Sequence, residues 1–521
     1  MIMKLKNIFN TLSLAAVALV ATSCQDTDAQ IDIVEVGAPS FVSITPAETS
    51  VMLFGEKTIT VNFDKNIGFA TKNTSKITLN GTPVKFANVA GVSKSLTIRA
   101  DVDFSKTQKL HIPAGIIIGP QKKAYDKDID ITWEVKNLPD NDATKMTKKL
   151  GWGWNLGNHF DTYGDAISEG WGYWDGVGTM TDAPFNALAG AGAKTVRMPV
   201  TWTDHMDESN VINAAYLDEV KGAVDLAIGA GLNVILNTHH DSFETALGDA
   251  ANDEAKAAEI KALIETLWTQ VANKFKDYDD HLIFETFNEV HAGDDWGTGS
   301  DAQFELLNAW NKYAIDAIRA TGGNNSTRWI AIAGYAANID LTIAHLTIPE
   351  GATNIMVGVH CYDPYAFCLH PMSDDGSTVQ INSWGHNANA STSVSGANEE
   401  YVIAQLYKLR EAYIEKGIPC YLGEYGCVWQ TTDNANDFRK YYMEFFCRAA
   451  NLAGIPMFVW DNNSKGSGNE ANGYLDHATG AWLNDGATLV PMMVKACTDA
   501  DASYWFDTIW EKSPTYQGSA E

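Results

Sequence analysis

Eight short apolar runs, separated by longer amphipathic stretches, constrain this chain more than any other feature. They are "WGWNLG", "AKTVRMPV", "LNVILNTHHD", "HLIFETFNEV", "RWIAIAG", "NIMVGVHCY", "IPCYLGEYG" and "IPMFVWDNN". Each is short enough for a strand and apolar enough to be covered on both faces. Between several of them lie stretches such as "AAYLDEVKGAVDLAIGAG" and "EAKAAEIKALIETLWTQVANKF", in which apolar residues recur at helical spacing. Parallel strands need a long crossover, usually a helix, to return to the same sheet, so eight such units imply a (β/α)8 TIM barrel. The segment concerned, residues 148–515, exceeds the typical barrel of about 250 residues, so the loops on one face must be long. Residues 363–398 form the clearest insertion.

The rest of the chain precedes the barrel. "MIMKLKNIFNTLSLAAVALVATSC" has Lys4 and Lys6, an apolar run from Leu12 to Val20, and small residues before Cys24. The run is too short to span a bilayer, and the pattern reads as a targeting segment. Its ending resembles a bacterial lipoprotein signal, which implies a peptide over residues 1–23, lipidation of Cys24 and an acidic tether over 24–37. The expected location is the cell envelope, as a surface-exposed outer-membrane lipoprotein. Residues 38–137 then show short alternating runs broken by Gly, Asn and Pro, among them "KTITVNF", "KSLTIRA" and "DIDITWEV". They read as a small β-sandwich, similar to bacterial immunoglobulin-like modules, with residues 138–147 as the linker. Trp133 is its only tryptophan, which favours a spacer over a sugar-binding platform.

Charge narrows the partners. With 37 basic against 65 acidic residues, the net charge of -28 opposes binding to nucleic acid and to anionic membrane surfaces. The six cysteines beyond Cys24 show no C-x-x-C spacing for zinc and read as scattered thiols. No cofactor is implied, and a monomer is expected.

In a barrel, the C-terminal ends of the strands form the face that carries chemistry. Reading along those ends gives Asn155, Asn158, Arg197, His239, His240, Asn288, Glu289, His360, Tyr362, Glu424 and Trp460. Taken singly, each has an ordinary explanation: Arg197 pairs with an acid, His239 is a satisfied core histidine, Glu289 caps a helix. Their recurrence at equivalent ends of successive strands points instead to a site. Glu289 at the end of strand four and Glu424 at the end of strand seven supply two carboxyl groups from opposite sides of the barrel mouth. Glycosidic cleavage needs one carboxylic acid to protonate the leaving oxygen and one carboxylate to attack or support the cationic carbon. Arg197 is available to hold Glu424 ionised, and His360 and Tyr362 are placed to donate to Glu424 and orient it.

Residues 149 to about 515 resemble glycoside hydrolase family 5, a (β/α)8 family of retaining glycosidases. "VRMPV", "VILNTHHD", "DYDDHLIFETFNE", "RATGGNNSTRWIAIAGY", "VHCYDPY", "YLGEYG" and "FVWDNN" follow in the family's order. They are most similar to subfamily 4, which acts on cellulose, mixed-linkage β-glucan and xyloglucan. The resemblance implies that Glu289 is the acid/base, Glu424 the nucleophile and Asn288 the residue that binds the 2-hydroxyl. It also places Arg197, His239, His360 and Tyr362 around the sugar at the cut, with Trp460 as its stacking floor; Asn155, Asn158 and His240 join them as substrate-binding candidates. A plant β-glucan is the implied partner, with the same chemistry on mannan or xylan as the alternative. The first strand departs from the subfamily, reading "NLGNHFD" where "NLGNTLD" is usual, and "SEGWGYWDG" stands where "ETAWGNP" is expected. Trp171, Tyr173 and Trp174 in that altered loop either stack on a glucan chain or pack beneath the loop, and Trp202, Trp296, Trp384 and Trp429 are further candidates for a row of rings.

Two other classes are weighed against this one. A metal-dependent hydrolase would use His239, His240 and Asp241 with His360 and Glu424, but adjacent residues of a regular strand point to opposite faces and cannot share one ion. A noncatalytic glycan-binding protein would explain the anchor and the aromatics, yet has no need of a carboxylate pair.

Overall fold

The computed structural model describes residues 36–47, 58–71, 74–87, 93–99, 107–134, 137–170, 172–500, 504 and 506–517. Cys24, the proposed signal and most of the tether, and Trp171, lie outside them. Eight parallel strands close into a barrel: β1 (Trp152–Asn155), β2 (Thr195–Met198), β3 (Asn233–Asn237), β4 (Leu282–Glu285), β5 (Ile330–Asn338), β6 (Ile355–Cys361), β7 (Cys420–Tyr425) and β8 (Met457–Val459). Each pairs with the next in sequence order, and β8 pairs back onto β1. The principal helices between and after them are Ala183–Ala191, Ala214–Gly229, Glu254–Phe275, Asp301–Ala320, Ile339–His345, Glu399–Ala412, Asp433–Ala453 and Gly486–Thr498. The expected TIM barrel is therefore the observed fold.

Alternation along the strands explains why the runs are apolar throughout. Val234, Leu236, Leu282, Phe284, Val357 and Val359 pack outward in the larger core that the helices share. Ile235, Ile283, Ala331, Met356, Tyr421 and Phe458 point inward and fill the barrel, with Met146 and Leu150 of the helix Asp142–Leu150 packed against them at the N-terminal end of the strands. The helices answer with buried stripes; Glu254–Phe275 buries Ile260, Ile264, Leu267, Trp268 and Val271, and Asp253 caps its N-terminus by accepting from the N–H groups of Ala255 and Lys256.

Before the barrel stand two small antiparallel sheets. One orders Phe41–Thr45, Thr58–Phe69, Ser93–Arg99 and Lys85–Phe86, with Ile117–Ile118 also on Thr58–Phe69; the other orders Thr82–Pro83, Thr78–Leu79, Gln108–Ile112 and Ile129–Trp133. Ile59, Val61, Leu96, Ile98, Leu110, Ile112 and Ile131 are their buried alternate residues. Trp133 is buried among them and donates its Nε1 proton to the carbonyl of Ala47 at 3.2 Å, so it offers no face to a ligand.

Candidate active site

Above the apolar layer the inward positions turn polar. Register pairs Asn155 with Arg197 on β1 and β2, and Asn237 with Glu285 on β3 and β4. Arg197 is the hub of this layer. It is fully buried and all five of its N–H groups are engaged. Nη1 donates to Asn155 Oδ1 at 3.0 Å and to Glu424 Oε1 at 2.7 Å; Nη2 donates to Glu285 Oε1 at 2.6 Å and to Asn288 Oδ1 at 2.8 Å; Nε donates to both oxygens of Glu285 at 3.1 Å. Burial opposes the arginine's charge, but Glu285 and Glu424 outweigh it and raise its pKa. Glu285 also receives Asn237 Nδ2 at 3.0 Å and the Tyr421 hydroxyl. Burial pushes its carboxyl up, and Arg197 pulls it back below the usual range.

The two predicted carboxylates meet across this hub. Glu424 lies on β7 and receives Arg197 on one oxygen and the Tyr362 hydroxyl on the other, at 2.9 Å. Glu289 lies four residues beyond the end of β4, and its Oε1 sits 2.5 Å from His360 Nδ1. Ligating atoms of Glu289, His360 and Glu424 all fall within 4.8 Å of one another. His360 therefore departs from expectation: its close partner is Glu289, and Glu424 Oε2 is 3.9 Å away. A register shift between Val359 and His360 brings His360 opposite Glu424, and Gly423 next to it admits the imidazole, since a Cβ there would fall 2.9 Å from His360 Nε2. Burial works against a charge on His360, but Glu424 and Glu289 prevail and raise its pKa.

Four further expectations are corrected. Asn155 is fully buried, and its Nδ2 donates to the carbonyls of Gly423, Phe458 and Val459 while its Oδ1 holds Arg197, so it positions the arginine and does not reach substrate. Trp202 is core, donating to the Asn237 carbonyl at 2.8 Å, and Trp384 is buried edge-on against Tyr442 at 4.9 Å. Neither joins a row of rings. His239 and His240 do not point to opposite faces, because β3 ends at Asn237; their rings lie 4.4 Å apart, and both approach Asp161. Strand alternation thus gives no argument against a shared ion, and among the described residues Asp161 with His239 and His240, and Glu289 with His360 and Glu424, are groups near this site that could hold one.

The remaining candidates each have defined neighbours. His239 is buried, lies 4.0 Å from Glu424 Oε1, and stacks parallel to Trp460 at 5.8 Å. Burial, reinforced by His240, Arg197 and His360, lowers its pKa well below the usual value, so it is a neutral imidazole. His240 Nδ1 meets Glu244 Oε2 at 2.9 Å; burial opposes its charge, but Glu244 prevails and the pKa rises to about 9. Asn288 spends one N–H on Glu244 Oε1 and one lone pair on Arg197, leaving one of each for a ligand. Asn158 sits half-buried in the left-handed region, φ +64°, its N–H donating to Asp161 Oδ2. Trp460 lies over Gly157, where a Cβ would come within 2.7 Å of the indole. Trp296 is exposed and stacks on His291 at 3.8 Å, and Trp429 lies half-buried under Arg439. Sequence reasoning passed over Glu285, Asn237, Glu244 and Tyr421; a carboxylate inside the apolar run "LIFETF" was the available signal for the first.

A family model described as Cellulase (glycosyl hydrolase family 5) matches residues 158–466. The chain is 32% identical over 363 residues to Endoglucanase A of Clostridium longisporum, covering 67% of this chain and 65% of that protein. Among solved structures, a native Bacteroidetes-affiliated GH5 cellulase linked with a polysaccharide utilization locus superposes with a TM-score of 0.67 at 36% identity, over 72% of this chain and 98% of that one. A GH5-4 broad specificity endoglucanase from Bacteroides salanitronis gives 0.65 at 38% identity, over 70% and 97%.

Proposed function

The chain belongs to glycosyl hydrolase family 5, and from that premise we propose that it is an endo-acting β-1,4-glucanase working by double displacement with retained configuration. The observation that carries the mechanism is the spacing of the carboxyl groups. An oxygen of Glu289 and one of Glu424 lie within 4.8 Å of each other, which supports the narrow pairing of retaining enzymes, about 5 to 5.5 Å, over the roughly 6.5 to 9.5 Å that leaves room for water in inverting ones.

Glu424, clamped by Arg197 and Tyr362, attacks the anomeric carbon while Glu289, oriented by His360, protonates the leaving oxygen. Glu289 then takes a proton from water as that water releases the glycosyl-enzyme. Asn288 turns its free amide positions toward the 2-hydroxyl. Trp460 and the neutral His239 supply the apolar floor on which the sugar stacks. The substrate class is a β-1,4-linked glucan backbone: cellulose, mixed-linkage glucan or xyloglucan. The similarity to a broad specificity endoglucanase supports this range.

The proposal extends to location. Cys24 carries the lipid anchor at the outer membrane, the two N-terminal sheets form an immunoglobulin-like spacer, and the enzyme acts as a monomer.

The test is release of new reducing ends from xyloglucan, mixed-linkage β-glucan, carboxymethylcellulose, glucomannan and xylan, with Glu424→Ala as control. Activity on a β-glucan confined to the wild type supports the proposal. Silence on every β-glucan, with binding retained, would overturn it in favour of a glycan-binding role.

A further inference from the structure

We infer that Tyr163 and Trp174, in the loop that follows β1, form an additional glucosyl-stacking subsite at that edge of the cleft, held in place by a buried clamp of His159, Asp175 and His477. The inference rests on the glucanase reading and adds to it the element that selects chain length.

Three observations lead there. Both rings stand in solvent, Tyr163 46% and Trp174 37% exposed, and they brace each other edge-to-face at 5.1 Å. They are also continuous with the catalytic floor. Tyr163 lies 4.8 Å from the His240 ring and Trp174 6.4 Å from it; His240 touches His239 at 4.4 Å, and His239 lies parallel to Trp460. An unbroken line of rings thus runs from the floor beneath the cut to the loop. Large aromatic faces left in water beside a cleft favour a ligand with apolar faces and polar edges, which describes a pyranose ring.

The third observation concerns what fixes the loop. Asp175 follows Trp174 directly and its side chain is wholly buried. Its Oδ2 is held by His159 Nδ1 at 3.0 Å and by His477 Nδ1 at 2.9 Å, and its Oδ1 accepts from the Val177 N–H at 2.9 Å. His477 belongs to the loop after β8, where Asp461 Oδ1 faces its other nitrogen at 3.4 Å. Asn463 of the same loop donates to the Asp175 carbonyl at 2.7 Å. The two places where this chain departs from the subfamily pattern, "NHFD" and "GYWDG", therefore meet in one contact, His159 on Asp175. Burying this charge is worthwhile only if paired, and the pairing ties the altered loop to the strand end that carries Trp460. Such a clamp pre-sets the rings and spares a bound sugar the cost of ordering them.

The experiment is calorimetric binding of cellobiose through cellohexaose to the inactive Glu289→Gln protein, alone and with Trp174→Ala, Tyr163→Ala or Asp175→Asn added. The expected result is that affinity climbs with chain length in the parent, and that Trp174→Ala removes one step of the climb, roughly 2- to 10-fold. Tyr163→Ala reduces the same step. Asp175→Asn, as a positioning residue, reduces that step too and adds nothing further when Trp174 is already alanine; a loss spread over all lengths would show a merely structural role and overturn the clamp. If the Glu289→Gln parent binds and both aromatic variants keep its length profile, the subsite is refuted while the glucanase reading stands. If the parent binds no cello-oligosaccharide, both fall together.

Discussion

Glu285→Gln is the perturbation that interrogates the hub of the site without touching either carboxylate assigned to the chemistry. Glu285 is 2% exposed and takes three of the contacts made by Arg197, which is itself fully buried. Removing one partner of a buried ion pair while leaving the other costs about 3 to 5 kcal/mol. Because the carboxyl is held below its usual range, its stabilising pairing is present above pH about 4.5 and is lost as pH falls through the lowered folded-state value, so the comparison belongs at neutral pH. Unfolding entropy near 2.1 cal/mol/K per residue over a barrel of about 370 residues gives about 0.78 kcal/mol/K, and the loss becomes about 4 to 6 °C in Tm. Differential scanning calorimetry at pH 7 reads it directly. The gap between the variant and the wild type should narrow on acidification, since the wild type then loses what the variant already lacks. A Tm within 1 °C of wild type at pH 7 would refute the claim that Arg197 depends on this carboxylate.

Tyr362→Phe removes one hydrogen bond to Glu424, and a bond to a charged group is worth about 1.5 to 3 kcal/mol, so kcat on a β-glucan should fall roughly 10- to 150-fold; loss of less than twofold would show that the 2.9 Å contact plays no part in turnover. The His477 clamp should make stability fall on the alkaline side. Burial opposes its charge, but Asp175 and Asp461 prevail and raise its pKa from 6.5 to about 9, so its contribution is complete below pH 6.5 and is lost as pH rises through 9. His240, raised to about 9 by Glu244, titrates in the same window, so His477→Gln should flatten part of the decline in Tm between pH 6.5 and 9, and a parallel curve would contradict the clamp.

The barrel was legible because strands buried on both faces must be apolar at consecutive positions, and "NVILN" and "CYLGEY" are. The ring of polar strand ends was legible for the same reason: Arg197 and Glu424 break apolar runs where nothing in a core would ask for a charge. Three kinds of information were not. Whether Asn155 serves a ligand or the scaffold depends on which carbonyls face its amide, and those belong to β7 and β8, far along the chain. Whether His360 serves Glu289 or Glu424 turns on where the chain beyond the end of β4 sets Glu289 against β6, since register alone pairs His360 with Glu424. Whether Trp202 and Trp384 reach solvent depends on how the loops that carry them fold back onto the helices, which residue type alone does not determine. Glu285 was visible but silent, because its meaning lies in Arg197, 88 residues away.

The proposed assignment makes Glu424 the residue that forms the covalent intermediate and Glu289 the acid and base. It is tested most directly by incubating the protein with an activated 2-deoxy-2-fluoro cellobioside, which slows release of the glycosyl-enzyme, and locating the adduct by mass spectrometry of a peptic digest. A 2-deoxy-2-fluorocellobiosyl mass is expected on the peptide containing Glu424, and none on the Glu424→Ala protein. A label on any other carboxylate, or full turnover without an adduct and with the opposite anomer as first product, would contradict it.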